Sequence, residues 1–195
     1  MLKSNSSKEE KLDSDLELVE KTISGDLSAF AEIVKKYKSK VASTVNGMIR
    51  NPDDADDISQ EVFIRFYKSI SNFRGDASLG TYLTRIAINL SLNEIKRLKS
   101  RKSISLDKLY VENQEFKNKQ TYIYSIDDKE VIQGAIQKLD PKYRSVLVLR
   151  LLENYSTEET GKILKIPIGT VLSRLSRAQM KLKKYLTIYF PDYDK

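Results

Sequence analysis

The sequence predicts an all-α protein made of two small helical domains joined by a flexible linker. Apolar residues recur at three- and four-residue spacing through most of the 195-residue chain, and no segment alternates like a strand. Glycine and proline number only 7 and 4, so the turn residues that an all-β fold needs are scarce. The helical pattern lapses over residues 102–127, where Lys, Asn and Gln are frequent. We therefore expect a disordered charged tail at 1–13, a first domain at 14–101, a linker at 102–127 and a second domain at 128–190.

Helix boundaries in the first domain are marked by capping and breaking residues. Asp26 precedes an apolar stripe over residues 30–41, and Asn51–Pro52 interrupts the chain after it. The next helix carries acids in its first turn, as the helix dipole favours. A turn at 73–76 separates it from a helix that begins near Leu79 and ends in basic residues. Within the linker, a short helix is expected around 106–110.

Composition limits the chemistry and favours a polyanionic partner. Lys and Arg total 34 against 27 Asp and Glu, which gives a net charge of +7. A basic chain of this size fits DNA, RNA or an acidic membrane face, although charge alone is equally compatible with a surface kept for solubility. His and Cys are both absent, which excludes disulfides, zinc fingers and catalysis by histidine or thiol. We expect no cofactor and no enzymatic activity.

No membrane segment is expected either. The longest apolar runs fall short of the roughly 18 residues that a membrane span needs. The first eleven residues are polar and do not form a signal peptide. The sequence therefore predicts a cytoplasmic protein.

An acidic segment, NPDDADDISQEVFI at 51–64, stands out in this basic chain. Its acids are Asp53, Asp54, Asp56, Asp57 and Glu61, with no base among them. Packing does not require this cluster, and like charges one turn apart repel by roughly a few tenths of a kcal/mol. A solvated helix start is one interpretation, and a docking face for a basic protein surface is the other. A calcium loop is disfavoured because the glycine turn and the closing glutamate are missing.

The helix predicted from Gly80 to Lys102 carries a mixed polar stripe beside its apolar face. The stripe comprises Tyr82, Arg85, Asn89, Asn93 and Lys96. Aromatic rings stack on unpaired bases, amides bind base edges and cations neutralise phosphate. Basic residues at a helix end also complement the dipole, but the dipole does not account for the aromatic and amide positions.

Residues 156–184 predict a helix-turn-helix. Ser156 or Thr157 caps the first helix, Gly161 permits close approach of the second, and residues 165–167 break the chain between them. The exposed stripe of the second helix comprises Thr170, Ser173, Arg174, Arg177 and Lys181. Residues 162–184 contain seven bases and no acid, which is typical of a recognition helix in a DNA major groove. A helical hairpin with a basic solvated face remains the simpler alternative.

Taken together, these segments resemble the sigma-70 family, and specifically its extracytoplasmic-function group, from Asp15 to about Leu186. The matching runs are DLELVEKTISGDLSAFAEIVKKY, DADDISQEVFIRFYKSISNFRG, TYLTRIAINLSLNEIKR and LDPKYRSVLVLRLLENYSTEETGKILKIPIGTVLSRLSRAQMKL. The resemblance implies a sigma-2-like bundle, then a linker threading toward the polymerase active site, then a sigma-4-like helix-turn-helix domain. It implies a factor that binds core RNA polymerase and directs promoter-specific initiation.

The resemblance also implies partners and site residues. Docking on the β′ coiled coil of polymerase would use Asp53, Asp54, Asp56, Asp57, Gln60 and Glu61. Capture of the opened −10 strand would use Phe73, Arg74, Gly75, Ser78, Thr81, Tyr82, Arg85, Asn89, Asn93, Lys96 and Arg97. Duplex binding at the −35 element would use Thr170, Ser173, Arg174, Arg177 and Lys181. The β flap of polymerase and, in many members, an anti-sigma factor are further partners.

Two positions depart from the family pattern, and two other functions stay open. Tyr82 stands where the family usually has Trp, and Thr160–Gly161 replaces Ile-Ala, which lowers helix propensity by about 1 kcal/mol. A stand-alone helix-turn-helix regulator would use residues 156–184 but would leave the acidic segment without a role. A nucleic-acid enzyme would need a carboxylate–metal site, for which no adjacent basic groove is recognisable.

Overall fold

The structure, a computed structural model, describes residues 14–106 and 128–190. Within those two ranges all regular structure is helical, so the predicted all-α fold is confirmed. The predicted tail at 1–13 and most of the predicted linker lie outside the described residues.

The first domain contains four helices. They are α1 (14–23), α2 (Leu27–Met48), α3 (Pro52–Lys68) and α4 (Leu79–Leu106), with a 3₁₀ turn at Ile70–Asn72. The Asp26 carboxylate caps α2 by accepting from the Ser28 amide at 2.8 Å, and Asn51 caps α3 by accepting from the Asp54 amide at 3.2 Å. Helix α4 continues to residue 106, so its last turn enters the segment predicted as linker.

The second domain contains α5 (Asp128–Gln137), α6 (Pro141–Leu147), a π-helical segment (Val148–Leu152), α7 (Thr157–Leu164) and α8 (Ile168–Leu186). Ser156 and Glu159 form a capping box at α7: the Ser156 hydroxyl accepts from the Glu159 amide at 3.1 Å, and the Glu159 carboxylate accepts from the Ser156 amide at 2.7 Å. Lys165 ends α7 in the left-handed conformation at φ +55°. The predicted helix-turn-helix is therefore present as α7, turn and α8.

One hydrophobic core runs through both domains. Val41, Val62 and Phe66 form its centre between α2, α3 and α4, and Val148 and Tyr155 of the second domain belong to the same buried cluster. A smaller cluster under α8 comprises Ile136, Leu139, Leu147 and Ala178. The second domain thus packs directly on the first, which the sequence did not predict.

Polar contacts join the domains around this shared core. The Tyr155 hydroxyl lies 3.0 Å from the Thr84 hydroxyl on α4. The Glu153 carboxylate accepts from the Ser43 hydroxyl at 2.7 Å and lies 3.5 Å from the Lys40 ammonium group, with only 6% of the Glu153 side chain exposed. The packed arrangement is therefore held by specific hydrogen bonds as well as by apolar contact.

Candidate nucleic-acid and polymerase interfaces

The acidic residues of α3 divide into an exposed face and a half-buried flank. Asp53, Asp56, Asp57 and Gln60 are exposed and form what we call the acidic face. The opposite side of the helix is buried through Ala55, Ile58, Val62, Phe63 and Phe66. Asp54 and Glu61 are half-buried, and Glu61 accepts from the Arg65 guanidinium at 2.8 Å. Four of the six predicted docking residues are thus free to meet a basic partner.

Helix α3 extends this surface with two apolar side chains that sequence analysis missed. Ile64 and Tyr67 are 45% and 42% exposed, and they follow Asp57 and Gln60 at a spacing of seven residues. The Tyr67 ring packs edge-on against Phe30 of α2, with ring centroids 4.9 Å apart. Because both residues sit inside an apolar run, helical periodicity alone did not separate them from the core. The surface of α3 is therefore acidic at its start, and at its end the apolar Ile64 and Tyr67 lie among the exposed bases Arg65 and Lys68.

The loop before α4 places the first predicted −10 residues. Gly75 has φ +74°, a left-handed conformation that glycine adopts without strain. The Ser78 hydroxyl accepts from the Thr81 amide at 3.2 Å and lies 2.9 Å from the Thr81 hydroxyl. Arg74 and Ser78 are exposed. The loop and the start of α4 thus present polar side chains at the surface.

Tyr82 belongs to an aromatic cluster rather than standing alone on the surface. Its ring lies 5.3 Å from that of Phe73 and 6.0 Å from that of Phe66, both edge-on, and the Arg85 guanidinium lies 5.0 Å from its centroid. Tyr82 is half-buried, whereas Phe73 is 9% exposed. In this conformation Phe73 packs against the Tyr82 ring and exposes little surface, and its contact with the −10 strand stays a prediction.

The rest of the α4 stripe is exposed. Asn89, Asn93 and Lys96 follow at helical spacing, opposite the buried Leu83, Ala87 and Leu90. Arg97, predicted to bind phosphate, donates two hydrogen bonds to Glu94 at 2.7 and 2.5 Å. The hydrogen bonds from Arg97 lower the pKa of Glu94, which keeps the pair ionised. Phosphate binding by Arg97 would therefore compete with this ion pair.

Helix α8 exposes three of the five predicted recognition residues fully and two of them in part. Ser173, Arg177 and Lys181 are exposed, and Thr170 and Arg174 are half-buried. The opposite side packs on the second domain through Val171 and Ala178, while Leu175 and Leu182, also predicted to be buried, are half-buried. Ser173, Arg177 and Lys181 thus lie away from the buried line of the helix, and Thr170 and Arg174 lie at its border. Ile168 and Leu172, 48% and 53% exposed, add apolar surface at the start of α8 that the sequence analysis did not single out.

Among residues 14–106 and 128–190, no three His, Cys, Asp or Glu side chains are grouped so that they could hold a metal ion. None of the helices described is long and apolar enough to cross a membrane.

Comparison with known families and proteins gives one consistent result. Residues 33–101 match Sigma-70 region 2, and residues 129–182 match Sigma-70, region 4. The ECF RNA polymerase sigma factor SigW of Bacillus subtilis (strain 168) is 35% identical over 170 residues, which cover 83% of this chain and 91% of that protein. The ECF RNA polymerase sigma-E factor of Escherichia coli (strain K12) is 34% identical over 170 residues, covering 83% and 88% of the two chains.

Solved structures show the same fold at lower identity. CnrH in complex with the cytosolic domain of CnrY matches with a TM-score of 0.65 and 22% identity, covering 90% of this chain and 98% of that one. The sigma factor RpoE from Bartonella quintana, in complex with the anti-sigma factor NepR, matches with a TM-score of 0.64 and 21% identity, covering 82% and 97%. With both family regions matched in order and curated relatives matched over most of their length, the chain belongs to the extracytoplasmic-function group of the sigma-70 family, the factors that direct RNA polymerase to promoters.

Proposed function

We propose that this sigma factor docks on core polymerase through the acidic face of α3, binds the −35 element as duplex through α8, and captures the opened −10 strand with the 73–78 loop and α4. The observation that carries the proposal is the segregation of charge. A basic chain exposes Asp53, Asp56 and Asp57 together on one helix, while residues 162–184 of the second domain contain no acid. One surface suits a basic protein, and the other suits phosphate.

Duplex binding by α8 is supported by the exposure of its polar side. Arg side chains bind guanine edges and phosphates, and Ser and Thr bind either phosphates or bases. Arg177 and Ser173 are exposed on the helix that follows the turn, which is the element that enters the major groove in helix-turn-helix proteins.

Strand capture at −10 is supported by the neighbourhood of Tyr82. Unstacking a base costs about a few kcal/mol, and stacking on an aromatic side chain returns about 1–3 kcal/mol per base. Tyr82 and the Arg85 guanidinium lie together beside the exposed Asn89. An aromatic ring, a cation and an amide are the groups that an unpaired base binds.

Two further protein partners are expected from the membership in this family. The similar solved structures of CnrH and of the Bartonella quintana factor hold the cytosolic domain of CnrY and the anti-sigma factor NepR. We propose an anti-sigma protein as a regulator of this chain as well, acting in the cytoplasm where polymerase and promoters are found. The β flap of polymerase is the expected partner of the second domain.

Capture of core RNA polymerase tests the docking surface. Purified wild-type protein should retain core enzyme stoichiometrically, and the variant Asp56→Lys/Asp57→Lys should lose it because two repulsive charges replace two attractive ones. The matched control is Glu20→Lys/Glu32→Lys, which changes the net charge equally at two exposed acids of the same domain. Failure of the wild type to capture core, together with tight and specific binding of duplex DNA by the protein alone, would support the stand-alone regulator instead.

A further inference from the structure

The loop that precedes α4 is flanked by two close contacts from the N-terminal part of the chain. A Cβ atom added at Gly75 would lie 3.3 Å from Cδ2 of Leu16, so α1 lies directly against the loop. A Cβ atom added at Gly80, in the first turn of α4, would lie 3.0 Å from Cε1 of Tyr37 on α2. Glycine is the residue that permits such close approach both within the loop and at the start of α4.

Asp15 connects these two contacts, because it precedes Leu16 in α1 and binds Tyr37 of α2. Its carboxylate, 2% exposed, accepts a hydrogen bond from the Tyr37 hydroxyl at 2.5 Å and another from the Lys36 ammonium group at 2.7 Å. A buried carboxylate is costly unless donors surround it, so this pair of donors fixes where α1 sits. Burial and the neighbouring Asp15 raise the pKa of Tyr37, which keeps its hydroxyl a donor at neutral pH.

Helix α1 is placed to support the domain and not to contact polymerase or DNA. Leu16, Leu18 and Val19 pack on the shared core, and on the outer side Lys21 pairs with Glu17 at 2.7 Å. The helix therefore adds neither to the acidic face nor to the polar stripe of α4. Its Leu16 side chain instead contacts Gly75, the loop residue next to Arg74.

We infer that α1 is a brace that sets the position of the 73–78 loop, and that Leu16 and Asp15 are positioning residues for base selectivity at the −10 element. The inference rests on the proposed function, because it assigns this loop to base capture. A loop that shifts by a fraction of an ångström loses contacts that depend on direction, such as hydrogen bonds to base edges. Phosphate contacts made by Lys96, well along α4, are less directional and should persist.

The test compares two half-buried leucines of α1. Leu16→Ala removes the side chain that touches Gly75, whereas Leu18→Ala removes a similar side chain that packs on the core. Holoenzyme made with wild-type protein first selects promoters from a randomised duplex pool. Each variant holoenzyme then selects from forked copies of a chosen promoter whose single-stranded −10 segment is randomised. Base preference at each −10 position is the readout.

Leu16→Ala should reduce the strongest −10 base preference about tenfold, with core capture and −35 preference unchanged. Leu18→Ala should keep the wild-type base preference even if its melting temperature falls as far as that of Leu16→Ala. Tyr37→Phe, which removes only the hydroxyl that Asp15 accepts, should shift the preference in the same direction as Leu16→Ala and covers the case in which Leu16→Ala does not fold.

The outcomes separate the inference from the proposed function. Wild-type preference in a folded Leu16→Ala holoenzyme, or in Tyr37→Phe if Leu16→Ala does not fold, would overturn the brace. An equal loss in Leu18→Ala would also overturn it, because the effect would then follow stability and not the loop contact. Failure of the wild-type protein to capture core polymerase would instead refute the proposed function.

Discussion

The Arg144 guanidinium of the second domain donates a hydrogen bond to the backbone carbonyl of Met48, 2.6 Å away, at the end of α2 in the first domain. Gln137 adds a hydrogen bond to the Gly47 carbonyl at 3.2 Å, and Gln133 donates to the carbonyl of Asn46. The last turn of α2 contains no basic residue of its own. The second domain therefore satisfies the carbonyl end of α2 and places a positive charge at its dipole.

Arg144→Met should lower the free energy of unfolding by about 2–4 kcal/mol, because hydrogen bonds from a charged group to buried carbonyls are lost. Arg144 also bonds the carbonyls of Gln137 and Leu139. Burial lowers its pKa to about 10, so the guanidinium is still charged at neutral pH. Equilibrium urea unfolding measures the loss. Lys162→Met, at an exposed position on α7, should stay within about 0.5 kcal/mol of wild type. A similarly small effect at Arg144 would show that the interdomain bonds contribute little.

The helices could be predicted because their signals are local. Asp26, Asn51 and Ser156 lie next to the helices that they cap, and each cap is present in the structure. The packing of the domains could not be predicted, because Gly47 meets Val148 across about a hundred residues and neither position carries a local sign of that contact. In sequence, Gly47 is only a glycine near a helix end.

In the candidate sites too, features that depend on local sequence could be predicted and features that depend on tertiary packing could not. Exposure of Asp56, Asn89 and Arg177 follows from helical periodicity, which separates polar from apolar positions. Periodicity does not rank apolar residues by depth, so the burial of Phe73 and the exposure of Tyr67 became visible only in three dimensions. The support of the 73–78 loop by α1 likewise depends on tertiary contacts.

Gly47→Leu should force the two packed domains apart, which the proposed function requires for promoter binding. On the proposed function, the −35 and −10 elements lie about 25 base pairs apart, or roughly 85 Å along the duplex. A packed chain of this length is only about 40 Å across, so it cannot contact both elements at once. A Cβ atom at Gly47 would lie 2.9 Å from Cγ2 of Val148, and a leucine there should wedge the interface apart. Small-angle X-ray scattering should show a larger radius of gyration.

The matched control for the wedge is Gly134→Leu on α5. A Cβ atom at Gly134 has no neighbour within 4 Å, so this variant should keep the wild-type radius of gyration. Holoenzyme containing Gly47→Leu should bind promoter at least as tightly as wild type, because the cost of opening is reduced. An unchanged radius in a folded Gly47→Leu protein would mean that the interface absorbs the side chain and stays closed.

Asn89→Ala should slow open-complex formation on duplex promoter while leaving core capture unchanged. Asn89 is exposed on α4, so the substitution should change the free energy of unfolding by less than about 0.5 kcal/mol. Tyr82→Ala should impair the same step, but it also removes ring contacts with Phe66 and Phe73. Permanganate reactivity of unpaired thymines measures opening over time. Ser100→Ala, exposed farther along α4, is the control.

A template that is already melted over the −10 element distinguishes melting from general binding. Asn89→Ala should lose much less activity on this template than on duplex, because the energy of unstacking has been supplied in advance. Equal losses on melted and duplex templates would argue against a role in strand capture and in favour of a general contact.

Arg174→Ala should weaken discrimination at the −35 element by about 10–100-fold, the range expected when one bidentate contact to a base is lost. Arg174 is half-buried on α8, one turn from the exposed Arg177. Competition between promoter DNAs that differ only at −35 positions measures the preference of each holoenzyme. Arg174→Lys keeps the charge but not the planar fork, so it should also lose discrimination if the guanidinium binds a base edge. Restoration of wild-type preference by lysine would instead place Arg174 on a phosphate, and unchanged preference in Arg174→Ala would remove it from the recognition surface.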